Sequence, residues 1–487
     1  MDKILFIFCI VCSANLLSQT HSTLINPFDN IYNNMRSMVV GEDVVYISTE
    51  HFCSSETSGN SLISCTGLIS VTLDGEIVKS VLIDSMFPEG FNRLVYENSK
   101  VYLSGHHHEE FLGRSTYLYE FSSDSLNINS IIELENNHDE IVNNNGILVV
   151  DTTFIFYGST ILGDNSHSDI RSVNIAEDIS TRTIISRGLI KNDCHDLQST
   201  INGNLVYANS FKSNGDSGQQ IMVLDSSFSK VDSIEFDNTI QDRSGVLRIL
   251  ASSSGHIYCM TNNHPFGSRF PAHGHINKFT RNLDTLEWSV KLPFNNLINE
   301  RRYLIHDFYE AQNGDILASG RAWDSSPSAL LDQVNNGFNG FLARLSPDGE
   351  IKFLRVYKLP HLSGDLLPEK DFGIYHETSL WNIHELEDGR IVLGGIATYN
   401  SLQLSVILPN DEVLSYPWML VVQNDGCLVD EECQEVIVVD GIKNDGLPIF
   451  PLGTRWTYDF FPNPINPNTI ETSYITFEVV DTIIQND

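Results

Sequence analysis

The chain reads as short apolar runs broken by polar or glycine-bearing turns. In "YEAQNGDILASG" (309–320) one apolar run meets Asn-Gly, and a second ends on Ser-Gly. Asn-Gly and Asp-Gly favour positive φ, so this pattern predicts a β-hairpin. Copies of the second strand begin at Val44, Val101, Phe154, Leu205, Ile257, Ile316 and Ile391, spaced 51 to 75 residues apart. A second hairpin completes each unit, as in "GLISVTLDGEIVKSVLI" and "GFLARLSPDGEIKFLRV", where Asp74-Gly75 and Asp348-Gly349 mark the turn.

One unit is therefore four short antiparallel strands in about fifty residues, the size of a propeller blade. Such a sheet cannot bury both faces alone, so the units must stack around an axis. The expected fold is all-β, a seven-bladed β-propeller over residues 19–440. The first and third units match the pattern least well, so six or eight blades also fit, and a sandwich is the competitor that the regular spacing disfavours. Residues 441–487 read as a linker, "DGIKNDGLP", then two β-rich runs flanking "PNPINPN", expected to be the first hairpin of a further, incomplete β-domain.

Composition adds the compartment. "MDKILFIFCIVCSANLLSQTHS" has the layout of a secretory signal peptide, cut after Ser18 or after Ala14. Later runs are too short to span a bilayer as a helix. The expected product is secreted or at the cell surface, without a transmembrane segment, and monomeric. A formal net charge of −34 argues against nucleic acid or an anionic membrane as partner, since both reward Lys and Arg. Surface calcium would suit that charge, but no D-x-[DN]-x-[DN]-G loop supplies a site, so neither a metal nor a cofactor is expected. Six cysteines follow the leader. Cys53 with Cys65 and Cys427 with Cys433 would close short loops, while Cys194 and Cys259 either pair or stand as small buried residues.

The units "NGDILASG…GFLARLSPDGEIKF" and "DGRIVLGG…WMLVVQNDGCL", with the tail "YITFEVVDTII", resemble secreted bacterial β-propeller repeat proteins of the type IX secretion substrate kind. The resemblance implies an extracellular or surface location. That family carries a C-terminal sorting domain, and none is read here, which leaves the completeness of the chain or its export route open.

Candidate chemistry is placed by position in the repeat. Ten residues before the aligned strands stand His195, His306, Trp381, Leu247 and Phe91; nine before stand Asn92, Asn145, Asp196, Arg248, Asp307 and Asn382, with Met35 in the first unit. Six polar residues of seven at the start of an otherwise apolar strand suggest a polar ring near the axis. Such residues either satisfy backbone groups at the channel or form a shared binding site. The candidate ligand-binding residues are Asn92, Asn145, His195, Asp196, Arg248, His306, Asp307, Trp381 and Asn382. "GHHHEE" (105–110) is expected on a loop, and three long insertions (262–274, 323–337 and 358–378) are candidate recognition loops. No nucleophile elbow, H-E-x-x-H or P-loop is present, so no catalytic residue is assigned. The first functional reading is a non-catalytic binding or scaffold module for a glycan or a surface protein. The second is a glycan-active hydrolase or lyase with its site at the channel mouth.

Overall fold

The computed structural model describes residues 21–25, 33–54, 62–83, 86–87, 94–109, 113–134, 141–162, 165–175, 179–185, 191–212, 217–237, 245–262, 274–294, 303–323, 338–358, 374–401, 414–428, 436–438, 455–460 and 473–478. Seven antiparallel sheets follow one another along the chain as blades 1 to 7. Their first strands are Asn33–Val40, Leu94–Glu97 (with Met86–Phe87 pairing farther along the same neighbour), Ile141–Val150, Lys191–Ser199, Gly245–Ala251, Tyr303–Glu310 and Ile374–Glu385. Each first strand touches the first strand of the next blade, and the seventh touches the first. The ring is closed: this is a seven-bladed β-propeller, and the sandwich, six-blade and eight-blade alternatives fall.

The core is distributed rather than central. Seven clusters of buried apolar residues each join two neighbouring blades. Between blades 6 and 7, for example, Leu317, Leu342 and Tyr357 pack with Leu380, Leu393 and Trp418, all fully buried. A blade buries its two faces only against neighbours, which is why the repeat must close on itself. Blade 7 draws its fourth strand from the other end of the chain: His21–Leu24 pairs with Leu414–Val422, His21 opposite Val421. Ile25, fully buried, follows it into the apolar cluster between blades 7 and 1.

Sequence reading missed this closing strand, because four residues beside a leader carry no repeat signal. It also missed Val436–Val438, which pairs in parallel with the outer strand of blade 6, Ile351–Lys358. Arg455–Phe460 and Ser473–Glu478 pair as a hairpin, with Arg455 opposite Glu478. His106, His107 and His108 lie within the strand Lys100–Glu109 rather than on a loop, because that strand keeps its pairing as far as Glu109 opposite Gly113. Cys65 and Cys427 are each in a disulfide. Cys53 and Cys433, their expected partners, lie outside the residues whose side chains are described. Cys259 is a free, buried thiol, so a Cys194–Cys259 bond is not formed.

Candidate functional site

The first strands share an irregularity. Their pairing with the second strand slips by one residue between Met35 and Ser37, Asn144 and Gly146, Cys194 and Asp196, Ile305 and Asp307, and Leu380 and Asn382. In blade 5 the slip falls between Val246 and Ile249. Each is a β-bulge, which re-aims the side chains around it. The bulge presses the first strand onto the second, and glycine stands where contact is closest. A Cβ on Gly320 would lie 2.0 Å from the Leu304 carbonyl oxygen, and one on Gly395 1.8 Å from that of Ser379. This accounts for the glycine that ends "ILASG".

Two rings of residues result. Arg36, Asn145, His195, His306 and Trp381 occupy the bulge itself, and Ser37, Gly146, Asp196, Asp307 and Asn382 follow it. Arg248 falls at the same place in blade 5, immediately before Ile249. A fixed count of nine residues mixes these rings, because the first hairpin loop is one residue shorter in blades 1 to 3, as Val149 opposite Phe154 shows against Glu310 opposite Ile316. Asn92 lies outside the described residues, as do the side chains of Asn145 and His195.

The second ring ties blade to blade. Ser37 Oγ accepts the Leu94 N–H at 3.3 Å, Asp196 Oδ2 the Ile249 N–H at 3.0 Å, and Asp307 Oδ2 the Ile383 N–H at 3.1 Å. Arg248 reaches the same way from blade 5 and donates through Nε to the His306 carbonyl at 2.6 Å. Blade 3 has Gly146 at this place, and the Tyr157 hydroxyl fills it and donates to Asp196 Oδ1 at 3.3 Å. The remaining oxygens also serve the backbone: Leu197 N–H donates to Asp196 Oδ1 and Phe308 N–H to Asp307 Oδ1. Ser37, Gly146 and Tyr157 were not singled out from the sequence. Only the aligned register, visible once the bulges are known, would have found them.

Charge alternates along blades 4, 5 and 6 as Asp196, Arg248 and Asp307. Burial raises the Asp196 carboxyl above its usual range, against the pull of Arg248 and its hydrogen bonds. Asp307 is pushed up to about 7, by burial first and by Asp196 nearby, although Arg248 and two backbone N–H groups oppose the shift. Burial, then Arg321 and Arg248, holds the His306 imidazole well below its ordinary range, so the ring is neutral at pH 7.

The first ring leaves different groups. His306 and Trp381, on adjacent blades, meet edge to face with centroids 6.0 Å apart. The Trp381 indole N–H donates to Ser379 Oγ at 2.6 Å, which fixes the ring. Buried and without a hydrogen-bond partner among the described residues are His306 Nε2, Ser319 Oγ and Asn382 Oδ1. Ser319 sits opposite Asp307 in the strand register. The structure thus brings Asp196, Arg248, His306, Asp307, Trp381 and Asn382 to successive first strands of blades 4 to 7. Among the described residues no group of three or more His, Cys, Asp or Glu side chains could hold a metal ion. The three long insertions lie largely outside the described residues.

No protein-family model matches the chain, and no curated protein matches its sequence. Among solved structures it is similar to hydrazine synthase of Kuenenia stuttgartiensis, at 10% identity and a TM-score of 0.39, over 65% of this chain and 78% of that one. It is also similar to the endosialidase of phage phi92, at 10% identity and a TM-score of 0.41, over 97% of this chain and 76% of that one. A third is the acylaminoacyl peptidase of Pyrococcus horikoshii, at 8% identity and a TM-score of 0.37, over 75% of this chain and 57% of that one.

Proposed function

We propose that this chain is a non-catalytic binding module, secreted or held at the cell surface, that engages a glycan or a surface protein at its central channel through the bulge residues. One observation carries the choice of binding over catalysis: the oxygens of the two ring carboxylates, Asp196 and Asp307, are already in use. Both oxygens of Asp196 and both of Asp307 accept backbone N–H groups, two of which belong to the next blade. A nucleophile or general acid needs an oxygen within reach of substrate. These carboxylates instead hold the ring together, and recognition falls to the neighbouring positions, where an indole and a neutral imidazole stand side by side.

The competing hydrolase reading has one observation in its favour. A carboxyl pushed up to about 7 beside a second carboxyl suits a general acid at neutral pH. The test is a glycan array probed with the mature protein, its Trp381→Ala and His306→Ala variants, and Asp307→Asn. Binding that is lost in Trp381→Ala at unchanged melting temperature supports the module. Release of sugar product over time, abolished by Asp307→Asn, would transfer the case to the hydrolase. No binding to any glycan by the folded protein would remove the glycan half of the reading and leave the protein partner to be sought by pull-down.

A further inference from the structure

The ring of residues after the bulge bridges five blade junctions: 1–2 through Ser37, 3–4 through Tyr157, 4–5 through Asp196, 5–6 through Arg248 and 6–7 through Asp307. At junction 2–3 this place lies outside the described residues. At junction 7–1 the place belongs to Asn382. The residue is 6% exposed, and its Oδ1 is buried without a hydrogen-bond partner among the described residues. The backbone N–H that stands here in register with those of Ile249 and Ile383 is that of Met38. A buried carbonyl without a donor costs free energy, and the equivalent residues Ser37, Asp196, Arg248 and Asp307 each bond to the next blade.

Two independent features mark the same junction. Among the described residues the strand that completes blade 7 spans four, His21–Leu24, whereas the outer strands of the other six blades span six to eight. Fewer ladder bonds hold it, with one more from the Ile25 N–H to the Pro417 carbonyl at 2.9 Å. The apolar packing is also distinct: Met35, Met38 and Met419 meet Ile25 here, three of the seven methionines in the chain. Met35 and Met38 crowd the space above Gly394, where a Cβ would lie 2.3 Å from Met35 Cε and 2.7 Å from Met38 Sδ. Methionine is unbranched and repacks readily, so such a contact can shift or part with little penalty.

We infer that the junction between blades 7 and 1 is the joint of the ring, and that the N-terminal strand is a strap released from it before any other blade edge opens. Release bares the edge of Leu414–Val422, and the ring gains freedom at this junction while the bridged ones stay closed. Unbridged polar groups, a short ladder and adaptable packing place this region at the low-stability end of the molecule.

Hydrogen exchange followed by mass spectrometry on the whole chain tests this. Amides of 21–25 and 414–422 are expected to exchange at least about tenfold faster than those of the blade 6 strands 338–345 and 351–358. Asn382→Asp installs the group that bridges junctions 4–5 and 6–7, and is expected to slow the first set while leaving blade 6 unchanged. A Thr23→Cys, Met419→Cys pair, opposite one another in register, should protect the same amides once oxidised. Equal exchange rates at the strap and in blade 6 would overturn the proposal. So would a folded Asn382→Asp protein with an unaltered strap rate. If Asn382→Asp does not fold, the wild-type ranking and the cysteine pair decide alone.

Discussion

The Tyr157 hydroxyl lies 3.3 Å from Asp196 Oδ1, across the boundary between blades 3 and 4, in the space that a side chain on Gly146 would fill. A Cβ there would stand 2.2 Å from that hydroxyl. Blade 6 solves the same position in reverse, with a large polar residue on the first strand, Asp307, opposite a small one on the second, Ser319. Gly146 opposite Tyr157 and Asp307 opposite Ser319 are two ways of placing one bridging oxygen at a blade junction.

That equivalence makes a coupled prediction. Gly146→Ala should destabilise the fold by about 1–3 kcal/mol, because it drives the Tyr157 ring off Asp196 in a packed site. Gly146→Asp alone should do at least as much harm. Adding Tyr157→Ser, which recreates the blade 6 pair, should recover a measurable part of that loss. Chemical denaturation of the two single variants and the double variant gives the coupling energy directly. Additive losses would mean that the two positions do not share one space.

Much of this fold was legible in the sequence because it is written in turns. Gly314 and Gly389 sit at positive φ in the first hairpins of blades 6 and 7, and Gly75 and Gly349 in second hairpins. Gly203 and Gly255 do the same in the first hairpins of blades 4 and 5, so the turn signal is strong in blades 4 to 7 and weaker in blades 1 to 3. The closing strand was illegible because His21–Leu24 gains its partner, Leu414–Val422, only when the ring shuts. The polar residues near the axis were visible as a ring, but not their roles. A one-residue change in loop length in blades 1 to 3 displaces any fixed count, and a bulge then decides which of two neighbouring residues binds the next blade. His306 and Asp307 stand together in sequence; in the fold the one packs its ring on Trp381 with Nε2 left without a hydrogen bond, and the other is a bridge.

The pH dependence of stability should carry the mark of Asp307. Its carboxyl is pushed up to about 7 in the fold, above its ordinary value of 3.8, with burial as the main cause. A raised folded-state pKa means that the neutral form is favoured by folding. The associated stability is complete below the unfolded value and is lost as pH rises through about 7. Asp196 is shifted in the same direction by its burial. The melting temperature of the wild type is therefore expected to fall as pH rises from about 4 to about 7, the interval between the unfolded and folded values, and Asp307→Asn should flatten part of that slope. An unchanged slope in the variant would assign the dependence to other groups.

Cys259 provides a probe that is silent in the native state. It is fully buried in the cluster between blades 4 and 5, and burial pushes its thiol up to about 12. The thiolate is the reactive form. The Cys259 peptide should therefore stay unmodified when the folded protein meets an alkylating reagent near neutral pH, and become labelled across the same denaturant range in which tertiary structure is lost. Labelling in the absence of denaturant would show that this blade junction opens on its own.

The glycines divide into two kinds, and substitution should separate them. Gly203 has φ +78° in a turn, and no heavy atom lies within 4 Å of a Cβ placed there. Gly203→Ala meets only the backbone preference against the left-handed region, about 1–2 kcal/mol. Gly395 lies in a strand at the blade 7 bulge, and a Cβ would fall 1.8 Å from the Ser379 carbonyl oxygen and 2.9 Å from Leu380 Cα. Both contacts are backbone, so relief requires moving the first strand of blade 7 and with it the Asp307–Ile383 bridge. Gly395→Ala is expected to cost more than about 4 kcal/mol, at the exceptional end for a single substitution, or to leave no folded protein, with Gly320→Ala close behind. Thermal melts of the three variants in one buffer give the ranking. A Gly395→Ala protein that melts within a few degrees of Gly203→Ala would show that the bulge, and the close approach it imposes, is not needed to build the blade.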